Sequence, residues 1–201
     1  MRKTEEFWIE FDAAKPASDL PQRLLRSFYD LFDSLKGAVL VVLLLFTLVF
    51  RAVGVEGDSM QPTLDSGDWV AVTGMLLHSV ERGDIVVVTQ PWERHVPIIK
   101  RVIGVAGDEI MINFEKGIVY VNGEPKYEEY INERTFVQYD VEFPVTVPEG
   151  KLFLMGDNRN VSLDSRSSSI GFIDESYVLG KAFIRLYPLN EWDIYNTGEE
   201  E

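Results

Sequence analysis

A serine and a lysine 41 positions apart carry the chemistry that can be read most directly from this chain. Ser59 lies in Gly57-Asp58-Ser59-Met60-Gln61-Pro62-Thr63-Leu64. Glycine there permits backbone dihedrals that other residues resist, and proline fixes a turn. A serine on such a loop can present its hydroxyl rigidly, with the loop amides free to act as an oxyanion hole. Lys100 lies in Pro97-Ile98-Ile99-Lys100-Arg101-Val102-Ile103-Gly104. Strand alternation puts Ile98, Lys100 and Val102 on one face and Ile99, Arg101 and Ile103 on the other. Each face then carries one cation among apolar neighbours. Desolvation lowers a lysine pKa, so lysine can become a base, whereas arginine stays charged. A third segment, residues 154–166, is a polar loop following an apolar strand. Its glycine, asparagines, serines and an Asp–Arg pair favour a self-bonded loop that could brace a site. Taken singly, each segment also has a purely structural reading: a common turn, a snorkelling lysine, a surface loop with a local ion pair.

Composition narrows the chemistry. With no cysteine there are no disulfides, thiolate zinc sites or cysteine nucleophiles. Only His78 and His95 are present, without an HExxH pattern, so no metal or other cofactor is expected. A net charge of −14 with no basic stripe argues against nucleic acid as a partner. A Ser–His–Asp arrangement using His95 is disfavoured because Trp92-Glu93-Arg94-His95 reads as a solvated loop.

The positioning elements follow from the pattern. Valine- and isoleucine-rich runs at 68–72, 84–89, 98–105, 108–112, 118–121, 143–147, 151–155 and 178–187 are separated by glycine-containing turns. They predict an all-β, mainly antiparallel, barrel-like catalytic domain from 55–107 and 149–190. Residues 108–148 read as an inserted β subdomain and 191–201 as an acidic tail. Residues 1–36 form a polar leader, with leucines and phenylalanines from Leu24 to Leu35 at helical spacing. The uncharged run from Gly37 extends to residue 54 if Arg51 snorkels. A buried core helix or a cleaved signal peptide would also place apolar residues here. The all-round apolar character and the mixed-charge leader favour an uncleaved transmembrane signal anchor over 37–54. Arg23, Arg26 and Lys36 precede it, which puts the N-terminus in the cytoplasm and the following domain outside.

Together the segments resemble the bacterial type I signal peptidases. Residues 57–64 resemble that family's nucleophile box, and Ser66-Gly67-Asp68 the next. Residues 82–86 and 100–104, with Gly107-Asp108, resemble the general-base box, and Gly156 through Arg166 the last. The boxes keep the family order over about residues 35–189. The resemblance implies a Ser–Lys protease that removes signal peptides from exported preproteins at the cell membrane. Its expected partners are preprotein signal peptides, membrane lipid and, by proximity, the secretion translocase. Ser59 would be the nucleophile and Lys100 the base. Asp157, Ser162, Asp164 and Arg166 would support them, Ser162 by orienting the Lys100 amine. Val55, Met60, Leu64 and Ile99 would line shallow pockets for small substrate side chains. Where some members carry a serine two positions before the nucleophile, this chain has Gly57, so backbone amides such as that of Ser59 would form the oxyanion hole. Asn160-Val161 departs from the family's usual Asp-Asn. The short leader and single span resemble the Gram-positive form. An autocleaving repressor with a related β core would use the same residue types, but it lacks such an apolar run and would bring a DNA-binding domain. A membrane-anchored module without catalysis would be expected to have lost Ser59 or Lys100.

Overall fold

Elements in a computed structural model of the chain follow from local chemistry. The structure describes residues 20–48, 50–74, 79–89, 97–191 and 194–195. Both histidines, the first part of the leader and most of the acidic tail lie outside these residues. The chain divides into two units, Met1–Leu44 and Leu45–Glu201.

The first unit contains most of helix α1, Leu20–Leu48. Its described side chains from 25 to 44 are all exposed, including Leu40, Val41 and Leu43. The expectation that the whole of 37–54 is helical needs correction. The helix stops at Leu48, and residues 50–54 form a strand, β1 (Phe50–Gly54). What remains helical and uncharged is about 12 residues, or about 18 Å at 1.5 Å per residue. A hydrocarbon core is roughly 30 Å thick. Among the described residues no helix is long and apolar enough to cross a membrane. The reason lies in pairing: β1 finds an antiparallel partner in β2 (Trp69–Thr73), from Phe50 opposite Thr73 to Gly54 opposite Trp69. Interstrand hydrogen bonds decide a sequence that is apolar enough for either state.

In the second unit the remaining strands are β3 (Ile85–Val88), β4 (Ile98–Gly104), β5 (Glu109–Asn113), β6 (Ile118–Val121), β7 (Glu124–Pro125), β8 (Val145–Thr146), β9 (Lys151–Met155), β10 (Ile173–Asp174) and β11 (Val178–Tyr187). They form a larger sheet in the order β1-β2-β11-β3-β4-β9-β10 and a smaller one in the order β7-β6-β5-β8. Every pairing is antiparallel, as expected. The larger sheet is open, with β1 and β10 as edges, so the barrel-like expectation holds for strand direction and not for closure.

The turns are built from one recurring device. Asp68, Asp84 and Asp108 each follow a glycine and each accept the backbone N–H of the residue three positions earlier, at 2.8–3.0 Å. Each carboxylate also meets a cation: Arg185 at 3.5 Å, Lys181 at 2.7 Å and Arg82 at 2.6 Å respectively. Between β6 and β7, Asn122 and Gly123 both take positive φ, 55° and 83°, as a two-residue hairpin turn requires.

Three apolar clusters fill the unit. The first gathers Val55, Met60, Leu64, Ile85, Val87 and Ile99 under the loop after β1. The third packs Val86, Val88, Val102, Leu152 and Leu154. The second joins both sheets, with Ile103, Phe153 and Met155 from the larger packed on Ile110, Ile112 and Val119 from the smaller. Phe153 is 1% exposed and meets Phe143 and Phe172 edge-on at 5.9 and 6.0 Å. Phe153→Ala should therefore destabilise this unit by about 3–5 kcal/mol. Denaturant unfolding checks this, and a midpoint unchanged from wild type would contradict the packing described.

Candidate active site

Strand order brings the three chemical segments together. β4 runs between β3 and β9 in the larger sheet, so Lys100 lies beside the start of the polar loop that follows β9. The serine loop spans the gap between β1 and β2. It is closed at its base by Val55 N–H to Asp68 C=O (2.8 Å) and Gly67 N–H to Val55 C=O (2.9 Å). Met60 and Leu64 anchor it in the first cluster. Gly57 has φ of 86°, a left-handed conformation that favours glycine, and its N–H donates to Ser66 Oγ at 3.2 Å.

The polar loop holds the backbone around Ser59. The Asn158 amide N–H donates to the Ser59 carbonyl at 3.1 Å, and Asn158 Nδ2 donates to the Asp58 carbonyl at 2.9 Å. Gly156 passes so close that a Cβ there would lie 2.3 Å from both the Ser59 carbonyl oxygen and Ser162 Oγ.

Lys100 Nζ lies 2.7 Å from Ser59 Oγ and donates to the Ile99 carbonyl at 3.0 Å. The residue is only 4% exposed. Burial lowers its pKa from the ordinary lysine value to about 8, while the negative charges of Asp164 and then Asp157 act in the opposite direction. Both carboxylates are held by guanidinium groups. Asp164 accepts from Arg166 Nε (2.8 Å) and Nη2 (2.9 Å), and also from the Gly156 N–H (3.0 Å). Asp157 accepts from Arg101 Nε (2.8 Å) and Nη2 (2.7 Å). Arg166 further ties the polar loop together by donating to the carbonyls of Arg159, Ser162 and Val137.

Beside the pair runs a cleft of about 440 Å³, lined in part by Val55, Glu56, Ser59, Met60, Ile99 and Lys100. Leu64, expected to line it, does not. It is fully buried in the first cluster, beneath the loop. Ser162 is brought to the site without a hydrogen bond to Lys100. Its Oγ is buried and has no partner among the described residues. No three metal-ligating side chains gather among the described residues.

Several contributors escape a reading of the sequence. Thr63 Oγ1 donates to Asp157 Oδ2 at 2.5 Å, and Arg101 stacks on the Tyr130 ring with its carbon 4.0 Å from the ring centre. Arg159 makes two bonds to Glu128, at 2.7 and 2.8 Å. Thr63 carried a signal, since it falls in the serine segment. Tyr130 and Glu128 carried none, lying far from their partners along the chain. Asn160 bridges its loop to the 133–137 segment by accepting from the Phe136 and Val137 N–H groups.

Comparison with known proteins adds the family context. The family model for signal peptidase, peptidase S26, matches residues 29–187. A signal peptidase I from Bacillus licheniformis is 38% identical over 163 residues, spanning 77% of this chain and 86% of that protein. Signal peptidase IB of Staphylococcus aureus (strain MRSA252) is 32% identical over 184 residues, spanning 83% and 93%. The crystal structure of a signal peptidase I from Enterococcus faecalis V583 is 29% identical, covers 52% of this chain and 97% of that one, and gives a TM-score of 0.43.

The close approach at Gly156 gives a test. Gly156→Ala would push the Ser59 carbonyl aside and shift the hydroxyl relative to Lys100 Nζ. A misplacement of about 1 Å can cost roughly 100-fold in rate. The variant should lose about that much of its hydrolytic kcat while keeping a cooperative melt. Wild-type kcat in the folded variant would contradict the geometry.

Proposed function

This chain belongs to the signal peptidases of family S26 and is a serine peptidase, and from that premise we propose that it cleaves signal peptides at the membrane with Ser59 as nucleophile and Lys100 as general base. The observation that carries the reading is the 2.7 Å contact between Lys100 Nζ and Ser59 Oγ in a buried setting. A hydroxyl needs an adjacent base to become a nucleophile, and a lysine serves only when neutral. With its pKa lowered to about 8, the amine is mainly ammonium below that pH and mainly free base above it. Activity therefore rises as pH increases through about 8.

In the proposed sequence Lys100 takes the Ser59 proton as Oγ bonds to the scissile carbonyl carbon. The Ser59 N–H makes no hydrogen bond among the described residues and is available to the oxyanion. The ammonium then protonates the departing amine as the C–N bond breaks. Water then loses a proton to Lys100 and bonds to the acyl carbon, the bond from that carbon to Ser59 Oγ breaks, and Lys100 returns the proton to Oγ. Asp164 and Arg166 hold the surrounding backbone, Asp157 ties Arg101 to Thr63, and Ser162 is the hydroxyl assigned in this reading to orient the amine. The apolar cleft walls of Val55, Met60 and Ile99 suit small side chains before the cut.

The proposed membrane contact is α1. It presents an uncharged stretch, residues 37–48, with exposed leucines and valines through residue 44, and apolar surface on this scale marks a lipid or protein contact. Membrane lipid and preprotein signal peptides are the partners this reading requires, with the translocase a neighbour by proximity.

The test is cleavage of a preprotein carrying Ala-x-Ala before the cut, followed by mass analysis of the products. Lys100→Ala and Lys100→Arg should each lower kcat by about 10²–10⁴-fold, the usual contribution of a general base, in a folded protein. Arginine cannot become neutral, so strong cleavage by Lys100→Arg would overturn the assignment.

A further inference from the structure

The stretch between β7 and β8 sends one segment back to the site. Its contacts there are specific. The Tyr130 ring lies under Arg101 at 4.0 Å and near Arg159 at 5.8 Å. Its hydroxyl donates to Glu128 Oε1 at 2.9 Å. Its carbonyl accepts a long bond from Thr63 Oγ1 at 3.5 Å, and Thr63 is also the hydroxyl that donates to Asp157. Glu128 holds Arg159 through Nη1 and Nη2, Thr135 Oγ1 accepts from Nη1 at 3.1 Å, and the Gly156 carbonyl accepts from Nε at 3.1 Å. One short segment thus touches the serine loop, the lysine strand and the polar loop.

We propose that residues 128–135 clamp the catalytic pair, with Tyr130 and Glu128 as positioning residues that act through Asp157. The inference rests on the Ser59–Lys100 reading above. The charged groups acting on the Lys100 amine are Asp164 and Asp157, both from the loop after β9. Asp164 is neutralised within its own loop by Arg166. Asp157 is neutralised from β4 by Arg101, whose open face is covered by Tyr130. Around Tyr130 stand Glu128, Arg159, Arg101 and Asp157. Burial, with Glu128 beside it, pushes the phenol well above its ordinary range, so the ring remains a neutral lid.

Two consequences of opposite sign follow. Removing the ring opens Arg101 to water and loosens its hold on Asp157. The less neutralised carboxylate then favours the ammonium form of Lys100. Removing the charge of Glu128 leaves the Arg159 cation, still held by the Gly156 carbonyl and Thr135 Oγ1, without its counter-charge, so its field acts more fully on Asp157 and favours the free amine. Simple loss of packing would lower the active fraction at all pH values and leave the profile where it is.

The experiment is the pH dependence of kcat for the full chain on a peptide substrate, in wild type, Tyr130→Phe, Tyr130→Ala and Glu128→Gln. Titration of isotope-labelled Lys100 runs in parallel. Tyr130→Phe keeps the ring and should keep the wild-type limb. Tyr130→Ala should move the limb upward by roughly 0.5–1 pH unit, a fraction of the one to three units that a contacting charge produces. Glu128→Gln should move it downward. If Tyr130→Ala does not fold, the direction of the Glu128→Gln shift decides. Limbs that coincide with wild type while wild type follows the Lys100 titration overturn the clamp alone. A wild-type limb that does not follow Lys100 overturns both the clamp and the dyad it rests on.

Discussion

The structure depends on keeping one amine dry beside one hydroxyl. Lys100 is placed on an apolar strand between Ile98 and Val102, where water cannot stabilise its charge. A buried lysine with two carboxylates nearby would ordinarily regain its proton, because opposite charges favour the ammonium. The chain weakens this effect by giving each carboxylate a guanidinium of its own. Asp164 has Arg166 and Asp157 has Arg101, both with two hydrogen bonds. Losing either arginine would leave a buried charge uncompensated, which is strongly destabilising, and would act on the base through the same field.

The serine side is fixed by backbone contacts. Asn158 grips the carbonyls of Asp58 and Ser59, and Met60 and Leu64 pin the loop into the core. The absence of a side chain at Gly156 lets two loops from distant parts of the chain touch. The second apolar cluster then couples this assembly to the smaller sheet through Phe153 and Met155, the latter directly preceding Gly156. Packing and chemistry are therefore linked through β9, whose side chains fill the core and whose C-terminal end opens into the polar loop.

Much of this was legible in the sequence for local reasons. Gly-Asp turns are read from adjacent residues, and their bounds set the strands between them. The Ser59, Lys100 and 156–166 segments each announce polar chemistry against apolar surroundings. What was missed is non-local. Residues 50–54 are apolar enough for helix or strand, and only the partner β2 decides. The family resemblance implies Leu64 as a cleft residue, but the loop turns it inward into the core. Tyr130 and Glu128 gave no signal because their partners, Arg101 and Arg159, lie about 30 residues away in opposite directions along the chain. Side-chain geometry about Ser162, which contacts neither Ser59 Oγ nor Lys100 through a hydrogen bond here, lies beyond sequence spacing altogether.

The central claim is that burial makes Lys100 give up its proton at a lower pH than an ordinary lysine. Its direct test is nuclear magnetic resonance titration of Lys100 selectively labelled at the side-chain nitrogen, in a Ser59→Ala variant that cannot turn over. The account predicts a midpoint of about 8, with the ammonium below it and the free amine above. A midpoint near the ordinary lysine value of about 10.4 would contradict it.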